Sequence, residues 1–456
     1  MRRTQVKERK GFSGRLGYVL ATAGSAVGLG NIWRFPYLAA KYGGGAFLLV
    51  YIILAMTFGY TMIMSETAIG RMTGKSPVGA FRALGKRKAV TAGGWINAIV
   101  PILIVPYYSV IGGWVCRYLW GYISAGGAAM ADEAVFGQFL ADPAAMELCF
   151  MVFSVMTMLV IFGGVQNGIE KVSKIMMPLL ALLAVVVVIF SVTRKGALEG
   201  VKYFLIPDLR RLSLMTVVSA LGQMFYSLSI AMGILITFGS YTKKDVDIEK
   251  TTVQVEIFDT VIAILAGLMV IPAVFSFSGG DPAALNKGPA LMFVTLPKVF
   301  ASMGGDWIGI LFFLLVLLAA LTSSVSLAES ACSTFEDELG WSRSRAAALV
   351  SVILILLGTL SCLGFNVLSG VTPLGMDILS FFDFLTNSVM MPVASACVCL
   401  LILLVTGPEK IEEEITFSSA FRRRKVFRFV LRYMSVILLA VILASSILDA
   451  FGLIKI

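Results

Sequence analysis

Two stretches of this sequence place small, hydroxyl-bearing and amide residues inside apolar runs, where they could bind ions. Residues 24–31 contain three glycines and end at Asn31. Residues 227–233 are rich in serine and end at Gly233. Where a helix unwinds, the freed backbone offers carbonyl oxygens to a cation and amide groups to an anion. The alternative is that the glycines only let helices pack closely.

The composition places these stretches in a membrane protein. Of 456 residues, 58% are hydrophobic and 14% are charged, and the mean hydropathy is +0.90, whereas soluble domains carry about 25% charged residues. Histidine is absent, which excludes Ser-His-Asp and Cys-His hydrolases and histidine-ligated metals. We expect no enzyme. In a membrane chain the net charge of +10 reflects basic loops, so it does not indicate nucleic-acid binding.

Apolar runs of about 20 residues, the length that crosses the hydrocarbon layer, predict eleven transmembrane helices. The predicted spans are 16–40, 45–69, 90–122, 147–165, 170–192, 213–240, 254–278, 307–335, 345–368, 376–405 and 427–453.

The basic residues predict the orientation. The N-terminal segment 1–15 and the loop 70–89 each carry six Lys or Arg residues, and the stretch 123–146 has none. Cytoplasmic loops carry an excess of Lys and Arg, so we expect the N-terminus inside and, with an odd number of spans, the C-terminus outside. The five basic residues of 193–212 disagree, but charge in a later loop weighs less than charge near the first helix.

The interrupted first and sixth spans occupy corresponding places if the chain consists of two five-helix halves. These halves would be 16–192 and 213–405, followed by a last helix at 427–453. Because five is odd, the second half would be inserted upside down. Paired interrupted segments in an inverted repeat indicate a transporter binding site near the bilayer midplane.

Several segments closely resemble, in order along the chain, motifs of the neurotransmitter:sodium symporter family. They are GRLGYVLATAGSAVGLGNIWRFPYLAAKYGGG (14–45), NGIEKVSKIMMP (167–178), GQMFYSLSIAMG (222–233), ALTSSVSL (320–327) and FEDEL (335–339). The resemblance covers essentially the whole chain, and the eleven-helix count is similar to that of the shorter prokaryotic members. It implies an all-α inverted-repeat fold with broken helices 1 and 6, and sodium-driven uptake of an amino acid by alternating access.

The resemblance also implies two sodium sites. The first would use the Ala26 carbonyl, the Asn31, Ser227 and Asp259 side chains and the carboxylate of the substrate. The second would use the Gly24, Val27 and Ala319 carbonyls and the Thr322 and Ser323 hydroxyls. On pattern alone, such a Thr-Ser pair more often bonds back to the preceding turn of its own helix.

Asp259 departs from the family pattern, because many relatives have Asn there. Chloride-dependent members place an anion nearby with Tyr, Gln and hydroxyl groups. Tyr51 and Gln223 match two of these groups, but Ala263 stands four residues after Asp259, where these members have a serine. A fixed carboxylate would replace the charge of chloride, which predicts chloride independence. Asp259 could also take up a proton on the return step.

The resemblance further implies how an amino acid binds. Its carboxylate would meet the Leu29 and Gly30 amides and the Tyr108 hydroxyl, and its amino group the Ala26, Tyr226 and Ser227 carbonyls and the Ser229 hydroxyl. Gly28 stands where monoamine carriers have Asp, which favours an intact α-amino acid. The uncharged side-chain pocket, matched as Ser25, Ile104, Tyr108, Tyr226, Met232, Ser323 and Leu327, suits a large apolar or aromatic side chain.

Charges that are costly in a bilayer indicate gates. Arg34 would pair with Asp383 above the site, with Tyr108 and Tyr226 closing over the substrate, and Arg9 with Asp337 on the cytoplasmic side. The alternative for Arg9 and Asp337 is that they are solvated loop charges. Two further intramembrane carboxylates, Glu66 and Glu329, are expected to accept hydrogen bonds from unwound backbone amides, but the sequence does not identify their partners.

The sequence therefore predicts a sodium symporter for a hydrophobic or aromatic amino acid in the cytoplasmic membrane, with lipid as its surroundings. A proton-coupled or otherwise cation-coupled porter of the same fold is the alternative. A channel is disfavoured because no repeated filter or ring of like charges occurs, and the longest inner loop, 406–426, is too short for a receptor output domain. The preferred amino acid, the sodium stoichiometry and the oligomeric state are not readable from the sequence.

Overall fold

The chain forms a bundle of α-helices in a computed structural model that describes residues 11–280 and 291–450. Within these ranges there is no β-strand, only an isolated bridge between Gly44 and Pro207. The main helices are α1 (Arg15–Ala26), α2 (Phe35–Lys41), α3 (Gly45–Thr73), α4 (Lys88–Ser124), α5 (Pro143–Phe162), α6 (Val165–Val192), α7 (Leu214–Ser227), α8 (Ile234–Ser240), α9 (Ile248–Ser278), α10 (Asp306–Leu339), α11 (Arg343–Leu363), α12 (Ile378–Thr406), α13 (Arg424–Met434) and α14 (Ile437–Ser445).

Eight of these helices, α3 to α6 and α9 to α12, are long and apolar enough to cross a membrane. Both ends of each of the first ten predicted spans lie within six residues of the ends of the observed helices. For this comparison, α1 and α2 together correspond to the first span, and α7 and α8 together to the sixth. The last, 427–453, corresponds to α13 and α14, which are bent by 47° from each other, and residues 451–453 lie outside the described ranges. The helices of the two divided spans and of the bent last span are each too short to be identified as a membrane crossing by length. The count of eleven crossings therefore stays a prediction.

The first predicted span divides between α1 and α2, as the glycines indicate. Val27 adopts an extended conformation (φ −80°, ψ 100°), so the α-helix stops at Ala26, and a π-helical turn at Gly30–Arg34 leads into α2. A Cβ atom on Gly28 would lie 2.5 Å from the Ser323 hydroxyl oxygen. The break therefore touches α10, and only glycine fits at position 28 without a shift.

The sixth predicted span divides between α7 and α8, and its backbone is strained. Ser229 and Ala231 have φ values of 53° and 61°, and Gly233 has 66°. The left-handed region costs an L-residue roughly 1–2 kcal/mol. Two contacts hold the turn: the Glu66 carboxylate accepts the Ala231 amide at 2.8 Å, and the Ser229 hydroxyl donates to the Ser25 carbonyl at 3.0 Å. The two breaks thus support each other.

Long helices fix the positions of both breaks. Helix α9 packs against α1, α2 and the π-helical turn between them, α10 packs against α1 and along α4, and α8 lies along the second half of α3. Side chains from α9, α10 and α3 therefore reach the unwound backbone from three directions.

The buried carboxylate of Glu329 is the second charge whose partner the sequence does not identify. Arg343 donates to both of its oxygens, at 3.0 and 2.6 Å, and Tyr241 donates at 2.7 Å. The same guanidinium also donates to the Ile161 carbonyl at the end of α5. This network joins α5, α8, α10 and α11.

We predict that Arg343→Ala lowers the free energy of unfolding by about 3 kcal/mol or more, because it leaves a buried carboxylate without its cation. The midpoint of thermal unfolding of the purified protein in detergent measures this. Exposed Arg345 lies two residues away on the same helix, so Arg345→Ala is the matched control and should match the unsubstituted protein. Equal midpoints for the two variants would show that the Glu329 network contributes little.

Candidate functional site

A fully buried carboxylate, Asp259 in α9, lies at the centre of the site. Its Oδ1 accepts hydrogen bonds from the Asn31 amide at 2.7 Å and from the Ser227 hydroxyl at 2.8 Å. Its Oδ2 accepts from the Tyr51 hydroxyl at 2.6 Å. Three of the four residues predicted for the first sodium site are therefore in direct contact. They come from both divided spans and from α9.

The donor set at Asp259 fits a monovalent cation. No Lys or Arg forms an ion pair with this carboxylate in the described part of the chain, so its charge has no compensation from a side chain. The Asp259 carboxylate and the Ser227 hydroxyl are hard oxygen ligands of the kind that sodium prefers. Asn31 turns its amide nitrogen to Asp259 in this conformation, and its Oδ1 accepts the Gly28 amide at 3.3 Å. The Ala26 backbone lies beside them and lines the adjacent pocket.

Oxygen atoms also converge where the second sodium site is predicted. The Ser323 hydroxyl lies 3.3 Å from the carbonyl oxygens of Gly24 and Val27 and 3.1 Å from that of Ser25. Thr322 instead bonds back to the Leu318 and Ala319 carbonyls of its own helix, at 3.1 and 3.0 Å. In this conformation Thr322 therefore follows the ordinary helical pattern, while Ser323 faces the unwound backbone.

A pocket of about 310 Å³ adjoins Asp259 and lies between the two breaks. It is lined by ten of the twelve residues predicted to bind substrate: Ser25, Ala26, Gly30, Ile104, Tyr108, Tyr226, Ser229, Met232, Ser323 and Leu327. Gly28, Asn31 and Ile234 complete the wall. The two others lie next to it: Ser227 bonds Asp259, and the Leu29 amide donates to the Tyr108 hydroxyl at 3.1 Å. None of the described residues that line this pocket has an acidic or basic side chain.

Tyr226 lines both this pocket and a larger cavity of about 1070 Å³, which we call the outer cavity after the gate predicted there. Arg34 and Asp383, the predicted outer gate, both line that cavity. The Arg34 guanidinium lies 5.6 Å from the centre of the Tyr226 ring, and Asp383 accepts from the Asn387 amide at 2.5 Å. No ion pair within 4 Å joins Arg34 to Asp383 in the described ranges. Arg34 and Asp383 therefore line the same cavity but do not form the ion pair that would close it.

An aromatic cluster forms around Phe12, just before α1. The buried ring of Phe12 packs edge-on against Tyr18, Phe238 and Tyr241, with ring centres 5.9, 5.5 and 6.2 Å away, and its amide donates to the Tyr241 carbonyl at 3.1 Å. Asp337 accepts the Ser76 amide at 2.7 Å. Arg9 lies outside the described residues, so its pairing with Asp337 stays a prediction.

Three groups at the site were not among the predicted ligands. Tyr51 was matched only to a chloride site, but it donates to Asp259. Gln223 donates to the Gly30 carbonyl at 2.9 Å, and Glu66 caps the Ala231 amide. An isolated polar residue in an apolar run was visible in each case, but the atoms to which these three side chains bond could not be identified without the fold.

Comparison with known proteins supports one family. The family model described as the sodium:neurotransmitter symporter family matches residues 9–126 and 136–453. An uncharacterized sodium-dependent transporter of Bacillus subtilis is 34% identical over 408 residues, which is 89% of this chain and 90% of the relative. One from Haemophilus influenzae is also 34% identical, over 92% and 94% of the two chains.

A solved structure has the same fold. The crystal structure of MhsT in complex with L-phenylalanine superposes with a TM-score of 0.87 and is 37% identical, covering 96% of this chain and all of that one. The all-helical fold with two divided spans is therefore confirmed.

We predict that Tyr51→Phe lowers the free energy of unfolding by about 1–3 kcal/mol, because a buried carboxylate loses one of its three donors. Thermal unfolding of the purified protein in sodium-free buffer measures this. The control is Tyr122→Phe, since the buried Tyr122 hydroxyl has no hydrogen-bond partner in the described structure. A Tyr51→Phe protein as stable as the control would contradict this account of Asp259.

Proposed function

This chain belongs to the sodium:neurotransmitter symporter family and is a sodium-dependent membrane transporter, and we propose that it takes up a hydrophobic or aromatic amino acid together with sodium. The observation that carries the proposal is the Asp259 cluster. It places an uncompensated carboxylate between two unwound backbone segments, directly beside an uncharged pocket.

The pocket supports an amino-acid substrate. The Leu29 amide, which here donates to the Tyr108 hydroxyl, and the Gly30 amide lie where the second half of the divided span begins. The dipole of that half favours negative charge, so a substrate carboxylate would replace the contact between Leu29 and Tyr108. The Ser25 and Ser229 hydroxyls lie at the unwound backbone, 2.9 Å apart. A carboxylate placed near Asn31 would also approach a sodium ion bound at Asp259. Substrate and sodium would then bind cooperatively.

The side-chain end of the pocket supports an apolar or aromatic substrate. Ile104, Met232, Ile234 and Leu327 line it without any charge. A Cβ at Gly28 would lie 2.5 Å from the Ser323 hydroxyl and 2.9 Å from that of Tyr108, so no acidic side chain fits there to replace a substrate carboxylate. The MhsT structure, which resembles this chain, contains L-phenylalanine.

The cavities support alternating access. In our proposal the outer cavity with Arg34 and Asp383 is open, while the aromatic cluster around Phe12 seals the other side. Arg34 and Asp383 close above a bound substrate, and the Phe12 side then opens toward the cytoplasm. The N-terminus would lie inside and the C-terminus outside the cytoplasmic membrane, with Arg9 and Asp337 pairing on the inner side.

A proton-coupled porter is the second candidate, and one observation favours it. Asp259 has no cationic side chain in the described structure, so a proton would neutralise it as a sodium ion would. The two candidates differ in which gradient drives uptake.

The deciding experiment is uptake by the purified protein in proteoliposomes. A panel of labelled amino acids is offered with an inward sodium gradient, with an inward proton gradient and with neither. We expect uptake of phenylalanine-like or large aliphatic amino acids with sodium alone. Uptake driven only by the proton gradient would favour the second candidate, and no uptake of any amino acid would overturn the substrate proposal.

We predict that Asn31→Ala and Thr322→Ala each abolish concentrative uptake, since each removes an oxygen from one of the two proposed sodium sites. Labelled amino-acid accumulation at equal protein content measures this. The control is Thr260→Ala, which changes the residue next to Asp259 in α9 without touching either site. Near-normal accumulation by both site variants would show that these residues do not bind sodium.

We predict that transport persists when chloride is replaced by gluconate, because the Asp259 carboxylate supplies the negative charge beside the first sodium site. Ala263, one turn further along α9, offers no hydroxyl to an anion. The initial rate of uptake in the two salts at equal sodium is the measurement. A strict requirement for chloride would contradict the role given to Asp259.

A further inference from the structure

A basic segment, residues 421–428, contains the first turn of α13 and carries five Lys or Arg residues. Its backbone is fixed against the start of α9, because the Glu249 carboxylate accepts the Arg422 and Arg423 amides at 2.7 and 3.0 Å. Such a cluster beside a membrane helix is typical of segments that bind anionic lipid, but basic residues also mark ordinary cytoplasmic loops. The contacts of the individual side chains distinguish the two.

The five basic residues differ in whether a carboxylate neutralises them. Arg424 and Arg428 both form ion pairs with the buried Glu412. No ion pair within 4 Å joins a described acid to the other three, which are Arg422, Arg423 and Lys425. Part of the basic segment is therefore available to an external anion.

A cavity of about 900 Å³ lies between the basic segment and the start of α9. Its lining includes three basic side chains, those of Lys250, Arg422 and Arg423, and two acidic ones. Both acids already accept from the backbone: Asp247 accepts the Lys250 amide at 2.9 Å, and Glu249 accepts the two amides of the basic segment. Because the bases outnumber the acids and the acids have donors, the cavity favours an anion.

The cavity also contains an unused hydrogen-bond donor. The buried Ser419 hydroxyl has no hydrogen-bond partner in the described part of the chain, and Ser419 lines the cavity. Charge-assisted hydrogen bonds from guanidinium, ammonium and hydroxyl groups are those that phosphate accepts best. A phosphate in the cavity would receive donors from Ser419 and Arg422 on one side and from Lys250 of α9 on the other.

The exposed face of α9 indicates that this phosphate belongs to a lipid. Lys250, Gln254, Ile257 and Val261 are spaced by three or four residues, which places them on one helical face, and all four are exposed. Seven residues of helix rise about 10 Å, and the headgroup layer on each side of a membrane is about 5–8 Å thick. When Ile257 contacts acyl chains, Lys250 therefore lies at the level of the lipid phosphates.

We propose that this cavity binds the phosphate headgroup of one anionic phospholipid. The phosphate accepts hydrogen bonds from Ser419, Arg422 and Lys250. The cavity lies at the Phe12 end of the molecule, because its lining residue Gln254 accepts from Arg15 of α1 at 2.6 Å. In the orientation proposed above, the lipid belongs to the cytoplasmic leaflet.

The remainder of the lipid follows from the same geometry. Its acyl chains lie along Ile257 and Val261, whose exposed fractions are 57% and 48%. A zwitterionic lipid fits less well, because its cationic group would lie beside the unpaired Arg423. The bound lipid bridges α9 and the basic segment.

Binding of lipid to the purified protein tests this inference. Protein freed of lipid in detergent is titrated with phosphatidylglycerol, with phosphatidylcholine of the same acyl chains, and with glycerol 3-phosphate, and the bound molecules are counted by native mass spectrometry. We expect one phosphatidylglycerol to bind at concentrations at which the other two do not. Equal binding of phosphatidylcholine would overturn the recognition of charge, and equal binding of glycerol 3-phosphate would overturn the lipid.

Substitutions in the basic lining separate a site from a general attraction to negative charge. Arg422→Gln and Lys250→Gln should each weaken phosphatidylglycerol binding about fivefold, and the double variant about 25-fold. Arg422→Gln keeps the backbone amide that Glu249 accepts, so the fold is retained. The matched control is Lys425→Gln, which removes an exposed charge of the same segment outside the cavity lining and should leave the affinity unchanged. An equal loss in the control would overturn the site.

Ser419→Ala provides a second test in which no charge is changed. It removes a hydroxyl that has no described partner, so the midpoint of thermal unfolding without lipid should equal that of the wild type, while phosphatidylglycerol binds about tenfold more weakly. Binding equal to that of the wild type would overturn the placement of the phosphate. Neither measurement uses transport, so a failure here leaves the proposed symport intact.

Discussion

The structure depends on one constraint, which is that a carboxylate lies in the membrane interior with no cationic side chain paired to it among the residues 11–280 and 291–450. Asp259 is fully buried, and its three hydrogen bonds come from neutral groups. Such a group is stable only with a proton or a bound cation. In the function that we propose, sodium is that cation, and a substrate in the adjacent pocket contributes its own carboxylate to the same electrostatic balance.

The two broken helices follow from this constraint. A continuous helix satisfies its own carbonyls and amides, so it offers nothing to an ion or to a zwitterion. Breaking two helices frees these groups, but the freed atoms must then find partners. The Glu66 carboxylate accepts a hydrogen bond from the Ala231 amide. The Gln223 side chain donates to the Gly30 carbonyl, and the Ser229 hydroxyl donates to the Ser25 carbonyl. Left-handed conformations at Ser229 and Ala231 store strain in a segment that these contacts hold in place.

Much of this organisation could be predicted from the sequence, because helix length and local glycine content are properties of the chain itself. The spans and both breaks are examples, whereas the ten pocket residues were identified through the resemblance to the family. The partners of Glu66 and Glu329 could not be predicted, since the Ala231 amide is 165 residues from Glu66 and Arg343 belongs to the next helix. The left-handed Ser229 and Ala231 were also not predictable, because neither residue type favours that conformation.

The central claim is that sodium and substrate stabilise each other through the Asp259 cluster, and equilibrium binding tests it most directly. Binding of labelled L-phenylalanine to the purified protein is measured over a range of sodium concentrations, with potassium holding the ionic strength constant. The account predicts that the affinity for phenylalanine rises with sodium and that phenylalanine raises the affinity for sodium by the same factor. An affinity for phenylalanine that is equal in sodium and in potassium would contradict it.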